Sequence, residues 1–171
     1  ARMRTAAYKV DAASDRRRHE NVPRHILCFI AGWKGKIMEL FLGGCYQGKK
    51  EYVLKLHPEC KGQVIEGENL PADWDGMIKE LQEFENPVIN HLHLWVRKCL
   101  EQQADVELLT DKLLETYPGL IFICDEIGNG IVPMDALERD YRERTGRLQI
   151  RIAEKAERVE RIVCGISQRL K

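Results

Sequence analysis

Gly43, Gly44, Gly48 and Lys49 are the residues of this 171-residue chain whose types and spacing point most directly to chemistry. They stand in GGCYQGKK, residues 43–50, after the apolar run Met38 to Leu42 and before the helix-like EYVLKLH. Gly43 and Gly48 lie five apart and Lys49 follows. A loop of this kind can turn several backbone N–H groups toward a phosphate, and the positive end of the next helix adds its field. Lys49 then reaches the outer phosphates of a nucleoside triphosphate. In such loops a Ser or Thr follows the lysine and gives its hydroxyl to magnesium. Here Lys50 stands in that place, which weakens the magnesium half of the motif. Spacing alone also permits a plain glycine-rich turn between a strand and a helix.

A second stretch, LIFICDEIGNGIVP, delivers two carboxylates, Asp125 and Glu126, at the end of an apolar run. Ligands bind at the carboxyl ends of strands in α/β sheets. The pair could hold magnesium or orient a hydroxyl that attacks a phosphoryl group, or could be solvated acids closing a strand. Gly128 and Gly130 let the following loop wrap tightly or approach a ligand. His91 and His93 alternate around Leu92, but no third metal ligand stands at a recognisable spacing, so they read as packing or surface histidines. Arg139, Arg142, Arg144, Arg147 and Arg151 share a helical stretch with several acids. That pattern is mostly a solvated face, from which Arg142 or Arg147 could pair with phosphate or a neighbouring subunit.

These groups need a scaffold, and the pattern around them is βαβα, hence a mainly parallel sheet. Strands are expected at 38–42, 63–65, from Val88, at 120–124 and at 159–166. Helices are expected at about 50–57, ended by Pro58, and over 72–84, with Asp73 near the start. A long, interrupted helical region covers 94–117, closed by Pro118-Gly119, and a long amphipathic helix runs from 134 to about 158.

The length suits one domain with a real core. Twenty-seven basic and 27 acidic residues balance to zero, so no overall field favours nucleic acid or an acidic membrane. The longest apolar runs, ILCFIAGW and LIFIC, fall far short of the roughly 20 residues of a membrane span. Six cysteines are scattered without a CxxC pair, which suits reduced thiols in a cytoplasmic protein. Residues 1–37 open basic and Arg-rich with no amphipathic period, and are expected to be a disordered or loosely packed extension, dispensable for folding. The functional domain is then 38–171.

Three segments carry a resemblance. MELFLGG followed by GK, then DEIGNGIVP, then RDYRERTGRLQIRIAEKAERVERIVCGISQRLK resemble the adenosylcobinamide kinase / adenosylcobinamide-phosphate guanylyltransferase family of cobalamin biosynthesis. The similarity spans residues 38–171. Its most specific part is E-x-G-x-G-I-V-P, then R-x-x-x-G-R, then a closing G-I-x-x-x-x-K.

The resemblance implies a P-loop, RecA-like α/β fold with helices on both faces, in a cytoplasmic homo-oligomer, a homotrimer. It implies a transferase that uses ATP or GTP with Mg2+ to phosphorylate adenosylcobinamide and then transfers GMP to it. By matching positions, the resemblance implies that Gly43, Gly44, Gly48, Lys49 and Lys50 cradle the nucleotide phosphates, that Glu126, Gly128 and Gly130 line the adjoining site, and that Gly128 and Gly130 belong with the cofactor-binding residues. Lys49 and Glu126 carry the catalysis. The chain departs from the family at Lys50, at Asn90, where the family has an acid ending the third strand, and across Val64 to Asn90, where the family's guanylylated histidine has no counterpart. His57 precedes the second strand and does not take its place. Guanylyl transfer is therefore not expected, whereas direct phosphoryl transfer is. The alternatives are a catalytically weakened paralogue that binds nucleotide or corrinoid as a partner or regulatory subunit, and an unrelated P-loop small-molecule kinase.

Overall fold

A computed structural model describes residues 36–131 and 133–171; the expected extension lies outside the described residues except at its last two positions. The elements follow in the order β1 (Glu39–Gly43), α1 (Lys49–Leu56), a short 3-10 turn (Pro58–Cys60), β2 (Val64–Glu66), α2 (Trp74–Leu81), β3 (Val88–Asn90), α3 (Leu92–Glu101), α4 (Val106–Thr116), β4 (Ile121–Asp125), α5 (Ala136–Lys155), β5 (Arg158–Val163) and β6 (Ile166–Arg169). They build a six-stranded sheet in the order β2-β3-β4-β1-β5-β6. All neighbouring strands run parallel except the β5–β6 pair. This is the mainly parallel, P-loop NTPase-like arrangement expected.

The strands alternate their side chains between two cores, as a pleated chain must. Leu40, Ile89, Phe122 and Val159 face the larger core, filled by Met77 and Leu81 of α2, Trp95 and Val96 of α3, Leu113 of α4 and Ile152 of α5. Phe41, Val88, Ile123 and Ile162 face the smaller one, closed by Val53 of α1 and by Cys60. Helices therefore cover both faces. Every residue of β4 is buried, as a central parallel strand requires. Asp73, Asp105 and Asp135 cap α2, α4 and α5 by accepting from the backbone N–H groups of Gly76, Leu108 and Glu138 at 2.8–2.9 Å. Each such cap contributes about 1 kcal/mol.

Two boundaries differ from expectation in a way that matters. The final strand expected at 159–166 is a hairpin: Cys164 (φ 51°) and Gly165 (φ 74°) both lie in the left-handed region, the condition for a tight turn matched to strand twist. The helical region at 94–117 breaks at Gln103, also at positive φ (57°), before Asp105 starts α4.

Candidate functional site: the phosphate loop and its two flanking clefts

The loop between β1 and α1 has a shape that only glycine allows at its ends. A Cβ on Gly43 (φ 151°) would stand 2.3 Å from the Ile162 carbonyl oxygen, and Gly48 caps α1 at φ 79°. The first backbone bond of α1 runs from Tyr52 N–H to Gly48 O at 3.0 Å. The N–H groups of Lys49, Lys50 and Glu51 thus have no carbonyl partner within the helix, and form the positive end that an anion seeks. Gln47 fastens the loop to the β5–β6 turn. Its side-chain oxygen accepts from Cys164 N–H at 2.7 Å, and its carbonyl accepts from Gly165 N–H at 2.9 Å.

Sheet topology brings Lys49 and Asp125 together. β1 and β4 are neighbours with Gly43 opposite Asp125, so the loop and the acid share one end of the sheet. Lys49 Nζ lies 2.7 Å from Asp125 Oδ1 and donates to Gly44 O at 2.7 Å. Both residues are buried, at 6% and 5% exposure. Asp125 Oδ1 has no hydrogen bond of good angle, so Coulomb attraction to the ammonium is what supports its burial. Burial alone would raise the carboxyl's pKa, but the Lys49 ammonium outweighs it and holds the group below the usual carboxylate range. His93 backs this pair: its Nδ1 accepts from Asp125 N–H at 3.4 Å, and its Nε2 lies 3.9 Å from Asp125 Oδ2. Burial pushes the His93 pKa down to about 4, against the pull of Asp125, so its ring is neutral near pH 7.

Lys50 points into a different set of partners. Its Nζ donates to Glu66 Oε1 at 2.8 Å, and Glu66 Oε2 is taken by Asn90 Nδ2 at 2.7 Å and approached by His91 Nδ1 at 2.9 Å. Register explains the meeting: β2 and β3 pair with Glu66 opposite Asn90, each at its strand's carboxyl end. His91 is held at φ 49°, and Gly67 packs so closely that a Cβ there would stand 2.3 Å from His91 O. Burial raises the Glu66 pKa, and hydrogen bonds from Lys50, His91 and Asn90 more than reverse this, leaving it lowered. With Gln47, Gly48 and Lys49, these groups line a cleft of ≈ 420 Å³.

On the other side of Asp125, Glu126 donates its N–H to Gly43 O at 3.0 Å, and its carboxylate takes a two-pronged pair from Arg161 of β5, both bonds 2.8 Å. Glu126, Gly128, Arg142, Thr145, Gln149 and Arg161 line a polar cleft of ≈ 270 Å³. Gly130 (φ 142°) follows in the same loop, with open space where a Cβ would be. The sequence-expected residues thus fall into two groups: Gly43, Gly44, Gly48, Lys49 and Lys50 around the phosphate loop, and Glu126, Gly128 and Gly130 in the loop after β4. Sequence reasoning missed Glu66, Gln47 and Arg161. Glu66 carried one usable signal, an acid at the carboxyl end of a short apolar strand. Arg142 bonds the carbonyl of Ile131 at 2.9 Å, and Arg147 pairs with Glu143 on its own helix.

The magnesium implied by the resemblance does not fit these residues. Magnesium asks for a near-octahedral set of oxygen ligands. Lys50 supplies an ammonium in place of a hydroxyl, both Glu66 oxygens are engaged by nitrogen groups, and Asp125 Oδ1 is held by Lys49.

A glycine-rich loop between β1 and α1, a buried lysine at the helix start and an aspartate closing the neighbouring strand define a P-loop α/β protein. A family model, cobinamide kinase / cobinamide phosphate guanyltransferase, matches residues 51–170, and the chain belongs to that family. The bifunctional adenosylcobalamin biosynthesis protein CobU of Salmonella typhimurium is 30% identical over 108 residues, 63% of this chain and 49% of that protein. The bifunctional adenosylcobalamin biosynthesis protein CobP of Pseudomonas aeruginosa is 32% identical over 90 residues, 49% of this chain and 52% of that protein. The chain spans about half the length of these curated relatives. The family match begins at Glu51, directly after the glycine-rich loop. Among the described residues no helix is long and apolar enough to cross a membrane.

Proposed function

We propose that this chain is a nucleotide-dependent transferase of cobalamin biosynthesis. It binds ATP or GTP at the Gly43–Lys50 loop and transfers the terminal phosphoryl group to adenosylcobinamide or a related corrinoid. The observation that carries the reading is Lys49 at the start of α1, beside Asp125 at the end of β4. The acceptor hydroxyl attacks the outer phosphorus, the bond to the bridging oxygen breaks, and a nucleoside diphosphate leaves with its growing charge met by Lys49 and the helix N–H groups. The cleft of Glu126 and Arg161 receives the acceptor, with Glu126 orienting the hydroxyl and Gly128 and Gly130 letting the loop close on the ligand. By family resemblance the protein acts in the cytoplasm as a homotrimer.

Incubation with adenosylcobinamide and ATP or GTP, followed by product mass analysis, tests this directly. A product heavier by one phosphoryl group supports it, and none under any nucleotide and metal condition sinks it. A second reading is favoured by Lys50, by Asn90 and by the lack of histidine between Val64 and Asn90: a paralogue that binds nucleotide or corrinoid as a partner or regulatory subunit. Tight binding without turnover is its signature.

A further inference from the structure

We propose that the Lys50 ammonium is a resident cation of the phosphate site, so that the loop takes a triphosphate as the free anion, without a divalent metal. This deepens the nucleotide-site reading above and rests on it. Lys50 follows Lys49, the position from which a P-loop hydroxyl holds magnesium. In its place stands a positive charge.

The charge is fixed in position. Glu66 anchors Lys50 Nζ at 2.8 Å through one oxygen, while Asn90 Nδ2 holds the other at 2.7 Å and His91 Nδ1 lies 2.9 Å from it. A carboxylate so engaged cannot turn to ligate a metal without abandoning these contacts. The mainly parallel sheet enforces the arrangement, because Glu66 and Asn90 face each other in register and both end their strands beside α1. The ammonium also keeps capacity for a ligand. It has three N–H donors, and Glu66 Oε1 is the acceptor it meets. Its side chain is 40% exposed on the cleft it shares with Gly48 and Lys49. Phosphate oxygens placed on the N–H groups of Lys49, Lys50 and Glu51 therefore meet a tethered cation on one flank and Lys49 on the other. A hydrated magnesium ion in that place would meet an ammonium where a P-loop offers a hydroxyl ligand.

Titration calorimetry of ATP and GTP into the full chain, once in EDTA and once in excess magnesium, tests this. The expected result is affinity within about threefold under the two conditions, since the charge that matters is covalently attached. Lys50→Ser is expected to lose at least about tenfold in EDTA and to recover when magnesium is added, because it restores the hydroxyl in place of the ammonium. Lys50→Met is expected to lose in both conditions, and Lys50→Arg to keep metal-free binding. With its side chain partly exposed, Lys50 can be replaced without emptying the core, and a melting curve of each variant confirms folding. Wild-type binding that appears only with magnesium, or a Lys50→Met variant that binds as well as wild type in EDTA, overturns the inference and leaves the nucleotide site standing. No binding by the folded wild type in either condition overturns the nucleotide site and the inference with it.

Discussion

Lys49 neutralises a buried carboxylate and, in the proposed function, also offers charge to phosphate, two roles that substitution can separate. Lys49→Ala is expected to weaken ATP and GTP binding by at least about tenfold in calorimetry, with Lys49→Arg recovering little because the bulkier fork does not fit between Asp125 and Gly44 O. Removing one partner of a buried pair costs about 3–5 kcal/mol, so the same variant should melt lower. Adding Asp125→Asn should restore most of the lost stability and none of the binding. A Lys49→Ala variant with unchanged affinity would rule out a working P-loop. His93 makes a separate, pH-linked prediction. Its folded-state pKa of about 4 lies below the ordinary 6.5, so between these values the unfolded chain binds a proton that the folded chain does not. Stability from this group is complete above about pH 6.5 and falls as pH drops toward 4. His57 works the other way. Glu39 raises its pKa, so its contribution is complete below about pH 6.5 and is lost as pH rises through the raised value. Melting temperature against pH should therefore lose its slope between about pH 4 and 6.5 in His93→Gln and keep its alkaline limb. An unchanged acid slope would show that His93 takes up its proton alike in the folded and unfolded chain.

At the scale of elements, periodicity and capping residues placed the strands and helices, because their signals are local: Asp73 before an apolar period, Pro58 after one, a continuous apolar run for the fully buried β4. What was illegible was set by single backbone conformations and by register. The β5–β6 turn depends on Cys164 accepting a left-handed conformation, and Val-Cys-Gly-Ile lacks the Asn-Gly pair that announces such a turn. The Lys50–Glu66 contact depends on which strands lie side by side, a property of the whole sheet that no spacing of 16 residues reveals. The turn gives a test. Left-handed backbone costs most residues about 1–2 kcal/mol and Asn much less, so Cys164→Asn should raise the melting temperature by a few degrees. Since the Cys164 N–H that holds Gln47 is retained, nucleotide affinity should not change. A lower melting temperature would mean that the Cys164 side chain contributes more than its strained backbone costs.

For the whole molecule, the decisive feature is where the sheet puts its histidines relative to the phosphate loop. Glu39 opens β1 and Gly43 closes it, so His57, whose Nε2 lies 3.0 Å from Glu39 Oε2, sits at the opposite end of the sheet from the loop. The connection from β2 to β3 carries one eight-residue helix, α2, and no histidine. His91 lines the cleft beside the glycine-rich loop, with Nδ1 held by Glu66 and Asn90 and Nε2 outside that frame, but it follows β3 and so lies outside the β2–β3 segment where the family resemblance places the nucleophile. A covalent guanylyl step needs a free ring nitrogen aligned with the innermost phosphorus, whereas direct phosphoryl transfer needs only an aligned hydroxyl and neutralised charge. Incubation with GTP is therefore expected to leave the intact mass of the protein unchanged, and this outcome leaves the proposed direct phosphoryl transfer possible. An added mass of one GMP, labile in acid and abolished by His91→Asn but not by His57→Ala, would make His91 the nucleophile and give this short chain both steps of the family's chemistry.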